Sequence, residues 1–177
     1  EEKYRNLLEN ARDTIIALDL NGNITFVNNI VEEYGFKKDE VLGKSMTEFV
    51  PEKYQPKLIK EFAKVIRGNL AEGEIEIVTP KGKIVSEYRS SPIKRGNEVI
   101  GSQTILRDIT ERKKAEEALR ESEERFRNLF ESAGDGILTL DLRGRVTSAN
   151  KKIEEISGLS RGEIIGKYPT QFIPLDI

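Results

Sequence analysis

The side chains of this chain that could do chemistry are carboxylates, amines, guanidinium groups and hydroxyls, because histidine, cysteine and tryptophan are absent. Without imidazole or thiolate, no Ser–His–Asp or Cys–His nucleophile can be assembled, and no zinc or haem site built on those ligands. Carboxylates abound, 31 Asp and Glu against 29 Lys and Arg. A hard cation such as Mg²⁺ needs several of them converging, whereas here they follow helix faces and turns. Glycine loops of the kind that cradle phosphates are missing too. The stretch is therefore expected to hold no catalytic residue and no metal. Its nearly balanced charge offers no field for nucleic acid or an anionic membrane. No apolar run approaches the roughly 18 residues of a membrane span, and the absence of cysteine predicts a cytoplasmic setting.

Charge and hydroxyl groups do come together with purposeful spacing at Asp108-Ile109-Thr110-Glu111. This reads as a capping box with Asp in the Ser/Thr place, and Thr110 is a second cap candidate. Asp108 also has Arg112 one turn on as a candidate partner. From there Ala115, Leu119, Ser122, Phe126, Leu129 and Ala133 alternate in steps of four and three, a heptad seam along one continuous helix flanked by Glu, Lys and Arg. The pattern predicts a parallel two-stranded coil and hence a homodimer; a solvated spacer helix with a chance stripe is the competing reading. If the seam pairs, Asp108, Thr110 and Arg112 form the joint through which a change in the preceding domain would reach the helix.

The elements that position this joint are displayed twice. The run from Glu2 to Glu33 reappears 122 residues later, pairing Tyr4 with Phe126, Asp19 with Asp141 and Asn28 with Asn150. After a slip of one residue the match resumes with Gly35 and Gly158, Gly43-Lys44 and Gly166-Lys167, and Phe49-Val50-Pro51 and Phe172-Ile173-Pro174. A repeat this long is a domain rather than a solenoid unit. We therefore divide the chain into a complete domain at 1–109, a helical linker at 110–125 continuing into the next domain's leading helix, and the front half of a second copy at 126–177. That half lacks the strands to complete its sheet. It is expected to be disordered, swapped with a partner chain or packed on the first copy, with an exposed apolar face around Ile137, Leu138 and Leu140.

Within the first copy, Tyr4, Leu7, Leu8 and Ala11 predict a short amphipathic helix. Strands are expected at Thr14–Asp19 and Ile24–Val27, joined through Leu20-Asn21-Gly22 with Asn-Gly as the hairpin signal. Asn28 should cap a short helix that Gly35 ends. Brief helical turns at Lys38–Leu42 and Ser45–Phe49 precede a longer helix at Gln55–Arg67. Three more strands follow, at Glu74–Thr79, Ile84–Ile93 and Val99–Arg107, with Pro92 marking a strand end or edge. The order makes an α+β domain whose five-stranded antiparallel sheet has small helices on one face.

This order resembles the PAS sensor family. The resemblance rests on Asp19-Leu20-Asn21-Gly22 leading to Val27-Asn28, on Tyr34-Gly35-Phe36 followed by Glu40-Val41-Leu42-Gly43-Lys44, on Ser91-Pro92-Ile93 and Val99-Ile100-Gly101, and above all on Asp108-Ile109-Thr110-Glu111-Arg112-Lys113. It implies a PAS fold over the first copy and the front half of a second. It also implies a ligand site between the inner sheet face and the small helices. On that basis Ser86, Tyr88, Ser90, Gly101, Gln103 and Ile105 should point inward, with Ile75, Ile77, Tyr34, Phe36, Phe49, Phe62 and Ile66 as the apolar remainder. Gln103 falls where light-sensing relatives carry a flavin-contacting glutamine. The cysteine those relatives need is absent, so cysteinyl-flavin photochemistry is excluded by composition, as is His- or Cys-ligated haem.

Two readings of the inner face stay open: a self-satisfied core, or a pocket for a small apolar or mixed-polarity ligand of unknown identity. Function follows the same division. One reading is a cytoplasmic sensory and dimerisation module that relays a signal through the linker helix to an output domain outside this stretch, a sensor histidine kinase by family resemblance. The alternative is a ligand-free interaction scaffold from a transcriptional regulator or a cyclic-nucleotide signalling protein.

Overall fold

The computed structural model describes residues 2–172. The expected match of Ile173-Pro174 to Val50-Pro51 lies outside those residues, as does the side chain of Tyr4. The chain separates into two compact units, 1–114 and 115–177.

In the first unit, helix α1 (Glu2–Glu9) precedes strands β1 (Thr14–Leu18) and β2 (Ile24–Val27). The β-branched run at 14–16 and the alternation of buried Thr14 and Leu18 with outward residues explain β1. The expected Asn-Gly hairpin is in fact a five-residue loop. Asp19 Oδ1 accepts from the backbone N–H groups of Asn21 and Asn23, both at 2.9 Å, and Oδ2 accepts from the Asn23 amide at 3.0 Å. Gly22 supplies the one left-handed residue this loop needs, at φ 82°. The local Asx geometry outcompetes the two-residue turn, and it holds the Asp19 carboxyl below its ordinary value, first through the Asn23 backbone.

A 3₁₀ turn at Asn29–Tyr34, helix α2 (Lys38–Val41), further 3₁₀ turns at Met46–Phe49 and Glu52–Tyr54, and helix α3 (Gln55–Ile66) cover one sheet face. Strands β3 (Ala71–Thr79), β4 (Gly82–Arg95) and β5 (Glu98–Asp108) complete an antiparallel sheet of order β2-β1-β5-β4-β3. Pro92 sits late in an inner strand, at a local edge of the kind expected. It lies beyond the last β3 pair, Ala71 with Ser90, so β4 has only β5 beside it at that point.

Helix α4 (Thr110–Ser132) begins in the first unit and continues into the second. The second unit adds strands β6 (Leu138–Leu140) and β7 (Val146–Ala149), then α5 (Lys151–Ser157) and α6 (Arg161–Ile164). Val146, Ala149, Ile153 and Ile164 form its small core, with Leu138 and Phe172 packed against them. Leu138 thus turns into this core, whereas Ile137 and Leu140 are exposed as expected.

Candidate functional site

Between the inner sheet face and the helices lies a cavity of about 120 Å³. Its walls follow from the alternation of each strand and from the α3 spacing Leu58, Glu61, Phe62, Val65. Of the residues expected there, Tyr34, Phe36, Phe49 and Phe62 line it from the helical side. Phe36 and Phe49 meet edge to face at 5.4 Å. Ile75, Ile77, Ser86, Tyr88 and Ser90 line it from the sheet. Gly73, paired with Tyr88, leaves room for that ring: a Cβ there would stand 3.1 Å from the phenol oxygen.

Four expected lining residues are corrected. Gln103 and Ile105 face outward, and Gln103 donates from its amide to Ser91 Oγ at 3.1 Å on the outer surface. Gly101 is buried but does not line the cavity, and a Cβ on it would lie 2.3 Å from the Leu18 carbonyl oxygen of the neighbouring strand. The reason is a bulge. Arg95 pairs with Glu98 and Lys94 with Val99, but Ile93 pairs with Gly101, so Ile100 is an extra residue. An unbulged hairpin would have put Gln103 opposite Ser90; the bulge puts Thr104 there and inverts every later residue of β5. Ile66 does not line the cavity either; Val65, on the inner side of α3, takes that place.

Among the lining residues missed are Ser102, Thr104 and Leu106 on β5, together with Met46, Glu61 and Ala71. Pairing β4 with β5 by the small hydroxyls Ser90 and Thr104 would have signalled the first three. Those two hydroxyls are 2.8 Å apart and satisfy one another. Ser102 is different: it is 1% exposed and its Oγ has no hydrogen-bond partner among protein groups. An unsatisfied buried hydroxyl costs about 1–3 kcal/mol. Among the described residues Glu61 is the single charged one on the wall, and it pairs with Lys64 at 2.6 Å. Burial, then the Glu61 charge, pushes the Tyr88 phenol above its ordinary value.

The cavity reaches the exit joint through Tyr34. Burial first, then the charge of Asp108, raises the Tyr34 phenol, and a side-chain hydrogen bond to Asp108 adds to it. Asp108 Oδ1 also accepts from Thr110 N–H at 2.8 Å, starting α4 as an Asx turn. The expected capping box of Asp108 with Glu111 is not formed; Glu111 binds Lys114 Nζ instead, at 2.9 Å. Nor does the second candidate, Thr110, cap: its hydroxyl accepts from Val85 N–H at 3.0 Å, and Ile109 N–H donates to Val85 O at 2.9 Å. With Ile109 buried, α4 is bolted to β4 by both backbone groups of Val85. Arg112 lies on the exposed side of the first turn.

Along α4, Ala115 and Ser122 are exposed, and Leu119, Phe126 and Leu129 are 61%, 66% and 66% exposed. Phe126 stacks on buried Phe130 at 5.8 Å. Ala133 falls outside the seam because the helix ends at Ser132, ahead of the bends at Gly134 and Asp135. Among the described residues no cluster of three potential metal ligands occurs, and no helix is long and apolar enough to cross a membrane.

A PAS domain profile matches residues 12–111, and a PAS fold profile matches residues 124–176. Sporulation kinase E of Bacillus subtilis (strain 168) is 29% identical over 167 residues, 93% of this chain and 22% of that protein. Cyclic di-GMP phosphodiesterase PdeR of Escherichia coli (strain K12) is 32% identical over 122 residues, 64% of this chain and 18% of that protein. The chain thus spans about a fifth of the length of these relatives. The crystal structure of a PAS domain from Colwellia psychrerythraea superposes with a TM-score of 0.58 at 24% identity, covering 62% of this chain and 97% of that one.

Proposed function

Since this chain belongs to the PAS family, we propose that its first copy senses a small molecule in the cavity and relays occupancy through Asp108 and Thr110 to α4. One observation carries the reading. The same side chain, Tyr34, lines the cavity and has its phenol raised, after burial, by the carboxylate that starts α4. A ligand that moved Tyr34 would alter the Asp108 turn while Val85 held Ile109 and Thr110 against β4. Tilt or rotation of the helix is the remaining freedom, the kind of discrete shift by which packed elements switch.

In this reading the exposed stripe Leu119, Ser122, Phe126 and Leu129 meets its counterpart in a second chain, giving a parallel dimer. The output lies outside this stretch and is a histidine kinase, by likeness to a protein named as a kinase. A cytoplasmic setting belongs to the same reading. The likeness to a phosphodiesterase favours one second reading, a ligand-free scaffold serving a cyclic-nucleotide enzyme.

Filling the cavity from within tests the relay. Ala71, buried on its wall, is replaced by Leu and amide exchange of α4 is followed by mass spectrometry. Ala71→Leu should change exchange across the first turns of α4 several-fold, and adding Tyr34→Phe should abolish the change. Unaltered α4 exchange in a folded Ala71→Leu chain would remove the relay.

A further inference from the structure

We infer that the cavity is selective for a small, neutral, largely apolar molecule bearing one hydroxyl or carbonyl, anchored by Ser102; this rests on the sensory reading of the same cavity. Size sets the first limit. A cavity of about 120 Å³ is close to the roughly 150 Å³ at which a dry apolar cavity takes up benzene, and well below what a nucleotide, flavin or tetrapyrrole would fill. Charge sets the second. Among the described residues Glu61 is the one charged group on the wall, so nothing there would neutralise a carboxylate or phosphate, and an anion would be desolvated without a partner. A cation is disfavoured as well, because Glu61 is already held by Lys64 at 2.6 Å.

Ser102 sets the third limit. The other β5 hydroxyl facing inward, Thr104, is taken by Ser90. Ser102 Oγ is left with a donor and acceptor capacity that no protein group uses. It stands opposite Leu18 across the β1–β5 ladder, and Met46 belongs to the same apolar cluster as Leu18. Of the described hydroxyls on this wall, Ser102 Oγ is the one that is buried without a partner, and an unengaged polar group among apolar side chains is how a site fixes the orientation of a small ligand. Were Ser102 only a core residue, alanine there would serve the free protein better, since truncating an unsatisfied hydroxyl removes its desolvation cost.

The test compares phenol, benzene and benzoate as probes, with affinity read by protein-observed NMR on the whole chain, wild type and Ser102→Ala. Phenol should bind about three- to tenfold tighter than benzene, the value of one net hydrogen bond. Benzoate should not bind. Ser102→Ala should melt at or above the wild-type temperature and bring phenol and benzene within about twofold of each other. Equal affinities in the wild type, tight benzoate, or an unchanged preference in Ser102→Ala would overturn the assignment. So would failure of both neutral probes together with a lower melting temperature for Ser102→Ala, which would show the hydroxyl satisfied by solvent. These outcomes are separable from failure of the relay, because Ala71→Leu fills the cavity whatever the natural ligand is.

Discussion

Asn28 and Asn150 occupy the same place in the two copies and do nearly the same work. Each is wholly buried. Asn28 accepts from Ile15 N–H and donates to the carbonyls of Leu8 and Asp13, at 2.9 to 3.0 Å. Asn150 accepts from Ile137 N–H and donates to those of Phe130 and Asp135, at 2.9 to 3.0 Å. Each amide thus ties the preceding helix, the first strand and the second strand to one point. Only Asn150 also caps the helix that follows, accepting from Ile153 N–H at 3.2 Å. The difference comes from one residue. Between the asparagine and its closing left-handed glycine the first copy has six residues and forms a 3₁₀ turn; the second has seven and forms an α-helix. The shorter segment ends on Tyr34, which faces the cavity, and the longer one on Ser157, whose hydroxyl donates to Ile153 O. A shared scaffold with one residue fewer brings Tyr34 to the cavity wall.

Removing the shared part should have the largest effect. Asn28→Ala would leave Ile15 N–H and the Asp13 carbonyl without that partner and the Leu8 carbonyl with Ala11 N–H alone, at about 2–4 kcal/mol. Asn150→Ala would lose the same three bonds and the cap besides, from a unit with a smaller core. Amide exchange resolved by copy should show loss of protection across β1 in one variant and across β6 and α5 in the other. A cost below about 1 kcal/mol in urea melts would mean that water replaces the amide, and the scaffold comparison would fail.

Changing the count should have an intermediate effect. Inserting one alanine between Glu32 and Glu33 gives the first copy the length of the second, and should convert the 3₁₀ turn to an α-helix with Asn28 as its cap. Tyr34 would then rotate off the cavity wall at a cost of about 1–3 kcal/mol. Ultraviolet titration should show its phenol returning toward the ordinary range. A titration like that of the wild type would show that length does not set the helix type.

Tyr34 allows a finer measurement. Its phenol is raised above 10.0 by burial and by Asp108, so the folded state favours the neutral form. That contribution is fully present below the unfolded value and is lost as pH rises through the folded one. Tyr34→Phe should therefore flatten part of the decline in stability that sets in above about pH 10. Tyr88, shifted the same way, should leave the rest of the decline in place. Identical alkaline limbs in wild type and Tyr34→Phe would detach Tyr34 from Asp108.

Much of this was legible beforehand, and the failures have physical causes. The repeat, the strand order and the helical side of the cavity follow from side-chain pattern, because burial dictates residue type there. The slip between Gly35 and Gly158 was visible too, but its meaning was not, since a 3₁₀ turn and an α-helix share most side-chain preferences. The β5 face was lost to a bulge at Ile100, which no residue type requires. The Thr110–Val85 bond escaped notice because a hydroxyl that caps and one that reaches another strand look alike in sequence.

The smallest expected effect lies at a second duplicated contact. Glu9 accepts from Asn29 N–H at 2.8 Å and binds Lys38 Nζ through both oxygens at 2.6 and 2.8 Å. Glu131 accepts from Lys151 N–H at 3.0 Å and binds Arg161 through both oxygens at 2.7 and 2.8 Å. The Arg161 hydrogen bond, then the Lys151 backbone, holds the Glu131 carboxyl below 4.5 against the opposing effect of burial. Its contribution is present above that unfolded value and is lost as pH falls through the folded one, so Glu131→Gln should flatten the acid limb of the second copy. Arginine usually differs from lysine through its two-pronged fork. Here one nitrogen, Nη2, serves both oxygens, as the ammonium of Lys38 does. Arg161→Lys should therefore copy the first domain's contact and leave the acid limb almost where it was. An acid limb as flat as that of Glu131→Gln would show that the guanidinium plane matters, and that the two copies hold their leading helices by different means.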